Sequence, residues 1–91
     1  MNVTVNVPSP LRQYSEGRSR LDLSADDVRT SLATLRLEFP ALYRSVCDET
    51  GAIRRHVNVF VNDDNVRKLG GLDTPLSEGD EVSIIHAVSG G

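Results

Sequence analysis

The chain reads as an α+β domain, a mixed five-stranded sheet with one main helix on one face and a flexible C-terminal Gly-Gly tail. Three observations predict this. Asn2-Val3-Thr4-Val5-Asn6-Val7 alternates polar residues with valine, the signature of a half-buried strand. Val28, Leu32, Leu35 and Phe39 recur at spacings of four, three and four, which puts all of them on one helical stripe. Glu81-Val82-Ser83-Ile84-Ile85-His86 is rich in β-branched residues and runs into Ala87-Val88-Ser89-Gly90-Gly91 with no turn between them.

In chain order, the valines of the first strand face the core, and Pro8 and Pro10 stop the strand because proline lacks the ladder donor. Leu11 to Gly17 is a connection turning at Glu16-Gly17. Arg18 to Leu23 is a second short strand, with Leu21 and Leu23 on its apolar side, so the N-terminus forms a hairpin. Ser24 is placed as the helix N-cap with Asp27 three residues on, in a capping-box arrangement. Leu37 falls on the opposite side of the wheel from the apolar stripe. Phe39-Pro40 ends the helix or restarts it with proline in a first turn, and Ala41 to Cys47 makes a short second helix that packs Leu42 and Val46 inward.

Asp48 to Gly51 is a loop, and Ile53 to Asn62 a long strand with Ile53, Val57, Val59 and Val61 on one face. Phe60 lies on the other face with Arg54, His56 and Asn58. Asn62-Asp63-Asp64-Asn65 is a turn by composition, Val66-Arg67 a brief return strand, and Thr74-Pro75-Leu76 a single tight turn. In the final strand Val82 and Ile84 point inward and Ile85 outward. A helix between an N-terminal hairpin and the later strands covers one face of the sheet and supplies the crossover that lets the first and last strands lie parallel at its centre. That is a β-grasp arrangement. It occupies residues 1–91 as one domain and leaves Phe60 and Ile85 without a burial site.

Composition narrows the function. Ninety-one residues with 38% hydrophobic and 25% charged make a single globular domain with a small core. A formal charge of −3 and the lack of a basic block argue against nucleic acid as a partner. No apolar run is long enough to span a membrane, and the N-terminus carries no secretory pattern. One cysteine, Cys47, rules out an internal disulfide and makes a reducing cytoplasm the expected location.

No residue set suggests catalysis by this chain. Cys47 in a helical stretch reads as a small buried apolar residue. His56 and His86 stand thirty residues apart at outward strand positions and read as solvated. Asp63-Asp64 needs no cation to justify an Asn/Asp turn, and Gly70-Gly71 lacks the strand-to-helix context of a phosphate loop. Metal-binding and cofactor-binding residues are therefore expected to be none. Phe60 and Ile85 read either as scattered surface apolar residues or as a partner-binding patch. The tail is the remaining feature. Two terminal glycines present a carboxylate with no side chain beside it on a backbone of wide dihedral freedom. Extended, Ala87 to Gly91 reach about 15–18 Å, enough to enter a narrow cleft in another protein.

The opening Met1-Asn2-Val3-Thr4-Val5, the block His56-Val57-Asn58-Val59-Phe60-Val61-Asn62-Asp63, the stretch Leu76 to Ile84 and the Gly90-Gly91 end resemble the ubiquitin-like sulfur carriers of the MoaD/ThiS family. Within that family the likeness is to the cysteine-biosynthesis carriers of actinobacteria. It spans nearly the whole chain and is strongest in the two C-terminal strands and the tail, whereas Arg12 to Arg55 matches mainly in element order.

The resemblance implies a ubiquitin-like β-grasp fold and a carrier, not an enzyme. An E1-like enzyme uses ATP to adenylate the Gly91 carboxylate, and sulfide or a persulfide converts the adenylate to a thiocarboxylate. Ala87, Val88, Ser89 and Gly90 enter the partner's active site; the outward position of Phe60 and Ile85, apart from the resemblance, makes them the expected partner-binding face. The implied partners are that enzyme, a sulfur-accepting synthase using pyridoxal phosphate, and a metallopeptidase that releases cysteine. Molybdopterin or thiamine synthesis is the alternative destination of the sulfur. The same tail also fits a protein modifier joined through Gly91 to lysines, and an inert β-grasp binding module is the third reading.

Overall fold

Five strands and two helices follow in the order β1 (Asn2–Asn6), β2 (Arg20–Ser24), α1 (Val28–Glu38), α2 (Pro40–Val46), β3 (Val57–Val61), β4 (Asp64–Asn65) and β5 (Glu81–His86). The computed structural model describes residues 1–86. The strands form one sheet in the order β2-β1-β5-β3-β4. β1 pairs antiparallel with β2 and parallel with β5, and β5 pairs antiparallel with β3. The parallel central pair is what the helical crossover requires, since a parallel connection cannot be made by a tight turn. This is the expected β-grasp.

The period-two pattern sets which residues meet the helices. Val3, Val5, Val7, Leu21, Val57, Val59, Val61, Val82 and Ile84 are buried from the sheet side. Val28, Leu32 and Leu35 from α1, with Leu42 and Val46 from α2, cover them. Fully burying a side chain of this size contributes about 1.5–3 kcal/mol. Phe39 is only partly buried, at the edge of this layer, and Leu37 is exposed on the solvent side of α1 as its wheel position requires. The buried hydroxyls are all bonded: Ser15 Oγ donates to the Arg18 carbonyl at 2.7 Å, Ser31 Oγ to the Val28 carbonyl at 2.7 Å and Thr74 Oγ1 to the Gly71 carbonyl at 2.7 Å.

Several boundaries differ from the sequence reading, each for a local reason. Ser24 is not the helix cap. It ends β2 opposite Asn2, and the next amide, Ala25, donates to the Met1 carbonyl at 2.9 Å. Asp27 caps α1, accepting from the Thr30 amide at 2.7 Å. The connection after β1 is not plain coil, because Ser9–Tyr14 winds into a 3-10 turn with Pro10 near its start. It ends at Glu16 and Gly17, both at positive φ.

The long strand predicted from Ile53 begins only at Val57. The Arg54 amide donates to the Val46 carbonyl at 2.9 Å and Ile53 bridges to Cys47, so this stretch is spent closing the loop after α2. The return strand is Asp64–Asn65 in place of Val66-Arg67. Asn65 Oδ1 accepts from the Arg67 amide at 2.9 Å and starts a 3-10 turn there, with Val66 buried beneath it. Thr74-Pro75-Leu76 is not a turn of its own. The turn is the 3-10 segment Gly71–Asp73, and Pro75 then bridges to Asp27.

Candidate functional site

β5 carries the chain to residue 86 along the middle of the sheet, held by β1 on one side and β3 on the other. Ala87, Val88, Ser89, Gly90 and Gly91 lie outside the described residues. The surroundings of the end of β5 are therefore the part of the site the structure presents. Three features meet there: the outward face of the sheet, a histidine pair, and a group of arginines.

The outward face divides into two halves. Over β2, β1 and the start of β5 it is a polar lattice. Thr4 Oγ1 donates to Asp22 Oδ1 at 3.2 Å, and Asn6 Nδ2 donates to Glu81 Oε1 at 2.9 Å and to Ser83 Oγ at 3.0 Å. Over the end of β5 and β3 it is apolar. Ile85 stands opposite Asn58, and Phe60 opposite Ser83, which makes Phe60 and Ile85 diagonal neighbours on one face. Ile85 is 47% exposed and Phe60 is half-buried. Their predicted outward orientation holds.

Asn58 fixes one border of this face. Its Oδ1 accepts from Asn65 Nδ2 at 3.2 Å and from Arg67 Nη1 at 2.6 Å. The same guanidinium donates through Nη2 to the Arg54 carbonyl at 3.1 Å, and Arg54 Nε donates to the Arg44 carbonyl at 2.8 Å. Arg44, Arg54 and Arg67, from three separate segments, are thus tied to one another through neutral acceptors.

The histidines are not isolated. Antiparallel pairing sets Val57 opposite His86, and His56 just before it meets His86 edge to face, with ring centroids 5.1 Å apart. His86 also has the parity of the buried positions Val82 and Ile84, so it rims a groove toward Leu11, Tyr14 and Ser45 instead of pointing outward. The pairing escaped sequence reading because thirty residues separate the two. The available signal was that one histidine precedes the first residue of β3 while the other ends its partner strand.

The remaining candidates each have a local structural role. Cys47 is buried, and its thiol is pushed up to about 11 by burial and then by the Asp48 carboxylate, which keeps it protonated and poorly nucleophilic. Asp48 is held low by hydrogen bonds from Thr50, and serves its own loop. Asn62 adopts φ 54°, donates through Nδ2 to Asp80 Oδ1 at 3.1 Å and accepts at Oδ1 from the Glu81 amide at 3.1 Å, so hydrogen bonds to the start of β5 shape the Asp63-Asp64 turn. The Gly70 amide donates to Thr74 Oγ1 at 3.1 Å, closing a tight loop around the one-turn 3-10 segment Gly71–Asp73, which no α-helix continues. Among the described residues no group of three or more His, Cys, Asp or Glu is arranged to hold a metal ion, and no helix is long and apolar enough to cross a membrane.

The model of the ThiS family matches residues 5–91. The chain belongs to the ThiS family. It is 37% identical over 93 residues to the sulfur carrier protein CysO of Mycobacterium tuberculosis, with the whole of both chains covered. Among solved structures it is similar to a chain of the Amycolatopsis orientalis BexX/CysO complex, at a TM-score of 0.89 and 30% identity, covering 98% of this chain and 99% of that one. It is also similar to small archaeal modifier protein 1 of Methanosarcina acetivorans, at a TM-score of 0.84 and 33% identity, covering 99% and 96%. The β-grasp and the sulfur-carrier family expected from the sequence are the ones found.

Proposed function

We propose that this ThiS-family protein is a sulfur carrier of the CysO type that works through its C-terminal carboxylate in cysteine biosynthesis. The observation that carries this reading is that the family match runs to residue 91 and so takes in Gly90-Gly91. The 37% identity with CysO over the full length of both chains supports the pathway. In the first step the Gly91 carboxylate attacks the α-phosphorus of ATP on an E1-like enzyme, which expels pyrophosphate and forms an acyl adenylate. In the second, hydrosulfide attacks the acyl carbon, AMP leaves, and a thiocarboxylate remains. Its sulfur is a far better nucleophile than the original oxygen. Ala87, Val88, Ser89 and Gly90 carry it into the active site of the accepting synthase.

This chain binds no cofactor in that scheme. ATP belongs to the adenylating enzyme, pyridoxal phosphate to the synthase, and a metallopeptidase frees the product. What the chain contributes is placement. β5 is held on both sides, so the tail starts from a fixed point beside Ile85 and His86. All of these partners are cytoplasmic in this reading.

The experiment is an intact-mass measurement after incubation with the adenylating enzyme of the source organism, ATP, magnesium and sulfide. Replacement of one oxygen by sulfur is the expected result. Addition of one residue after Gly91 abolishes it, and Gly90→Val slows it strongly, because a β-branched side chain fills the approach and resists the dihedrals glycine allows. An extended variant that still supplies sulfur in cells overturns the reading. The similarity to an archaeal modifier protein favours one second reading, in which Gly91 forms isopeptide bonds to lysines. A ladder of conjugates on a blot of cell extract is its signature.

A further inference from the structure

We infer that the end of the sheet where β5 finishes is a cationic collar that docks on an acidic rim around the active-site mouth of the adenylating enzyme. This rests on the carrier reading above and deepens it by assigning a surface to the encounter.

The argument begins with strand direction. β1 and β5 run parallel, and β3 runs against β5, so the start of β3 and the end of β5 share one pole of the molecule. The sequence places Arg54-Arg55-His56 directly before β3 and His86 at the end of β5, and the Arg67 guanidinium reaches the same spot through its bond to the Arg54 carbonyl. The opposite pole collects carboxylates. Asp80 and Glu81 open β5, Asp63 and Asp64 turn out of β3, Glu78 accepts from the Asn2 amide at 3.0 Å, and Asp26 sits 3.4 Å from the N-terminal amine. A chain of net charge −3 therefore carries a positive end around the root of its tail.

Among the described residues these arginines form no ion pair. Among the described residues the ion pairs are Met1–Asp26, Arg20–Glu81 and Arg29–Asp73. None involves Arg54, Arg55 or Arg67; Arg54 and Arg67 donate instead to the neutral oxygens of Arg44, Asn58 and Arg54. Asp48, the carboxylate near Arg54, is engaged by the Thr50 and Ala52 amides at 2.8 and 3.2 Å. Arg55 is exposed and takes no part in an ion pair among the described residues. Guanidiniums without an ion-pair partner among the described residues, two of them (Arg54 and Arg67) held in place by neutral hydrogen bonds, are suited to an interface, because docking does not first have to break an internal salt bridge.

The collar also answers a problem in the reaction. Adenylation brings an anionic tail toward an anionic triphosphate, and the acidic bulk of the carrier adds to the repulsion. A positive ring at the tail's root, facing acidic residues around the enzyme's mouth, orients the carrier with its tail inward and raises the rate of encounter.

The test measures binding of the carrier to the adenylating enzyme by surface plasmon resonance, at low and high ionic strength, with thiocarboxylate formation followed in parallel. Wild type should associate quickly at low salt and lose that advantage at high salt. Arg55→Glu should slow association roughly tenfold at low salt, and Arg55→Glu with Arg67→Glu further. Arg55→Lys should restore the rate, and Asp63→Lys at the far pole should not slow it. Circular dichroism confirms that each variant is folded. Equal association rates for all variants, with thiocarboxylate still formed, overturn the collar and leave the carrier reading standing. Failure of wild type both to bind and to gain sulfur overturns both. Arg55-dependent binding of a labelled single-stranded oligonucleotide, with enzyme association unchanged by Arg55→Glu, overturns the collar in favour of a nucleic-acid surface.

Discussion

Val5 and Val82 stand opposite each other across the parallel β1–β5 pair, and both are fully buried. Their contact joins the second residue pair of the N-terminal strand to the strand that leads into the tail. The pairing spans most of the chain, so the platform from which the tail departs exists only once the whole domain has closed. The position of the end of β5 thus depends on a core to which the first and the last strand both contribute.

Leu32 tests that dependence. It sits at 3% exposure in the middle of α1, facing the sheet. Leu32→Ala removes buried methyl groups and leaves a cavity, with an expected cost of about 2–5 kcal/mol. Chemical denaturation checks this through the transition midpoint. A midpoint that does not move would mean that the stripe Val28, Leu32, Leu35 contributes no packing energy.

Acid should weaken the fold in a defined window. Hydrogen bonds from Thr30 hold Asp27 below the ordinary aspartate value of 3.8. Bonds from Thr50 lower Asp48, and the Ser77 amide lowers Asp80. A carboxyl with a depressed folded pKa adds stability above its unfolded pKa, and that contribution is lost as pH falls through the folded value. Stability should therefore hold from neutral pH down to near 4 and then decline. Asp27→Ala should be less stable than wild type near neutrality, and the gap should narrow on acidification. Thermal melts at a series of pH values decide it; a gap of constant size would show that the cap's charge is immaterial.

The pattern of the chain made the large elements readable and the joints between them hard to read. Val3, Val5 and Val7 alternate because one face of β1 is solvent, and Val28, Leu32 and Leu35 repeat because one face of α1 meets the sheet. Both signals are local. The cap of α1 moved from Ser24 to Asp27 because Ser24 was already paired with Asn2, a contact between positions twenty-two residues apart that no local pattern encodes. The start of β3 moved for the same kind of reason, since Ile53 and Arg54 bind back to the end of α2. In the candidate site, the outward placement of Phe60 and Ile85 was legible from parity alone. The meeting of His56 with His86 and the reach of Arg67 to Asn58 follow from sheet register, which is fixed only when strands from separate parts of the chain pair.

Cys47 should behave as a core residue and not as a thiol nucleophile. It is 1% exposed and its pKa is about 11, so little thiolate exists at neutral pH and reagents cannot reach it. Labelling with a maleimide should be slow in the native protein and rapid in denaturant, as followed by intact mass. Fast native labelling would show that the loop Asp48 to Gly51 opens readily over the end of α2.

The outward face offers the sharpest separation of folding from recognition. Ile85 is 47% exposed, whereas its neighbour Ile84 is 1% exposed on the other side of the same strand. Ile85→Glu places a charge in solvent and should leave the denaturation midpoint almost unchanged, while Ile84→Glu buries an unpaired carboxylate and should unfold the domain. If the Phe60–Ile85 face is the surface that the adenylating enzyme or the synthase grips, Ile85→Glu should weaken binding by about 1–2 kcal/mol or more, the cost typical of losing an apolar anchor. Titration calorimetry against each enzyme reads that loss directly. Unaltered affinity for both enzymes would remove Ile85 from the interface, and loss of the fold would place it in the core, against its exposure and its register opposite Asn58.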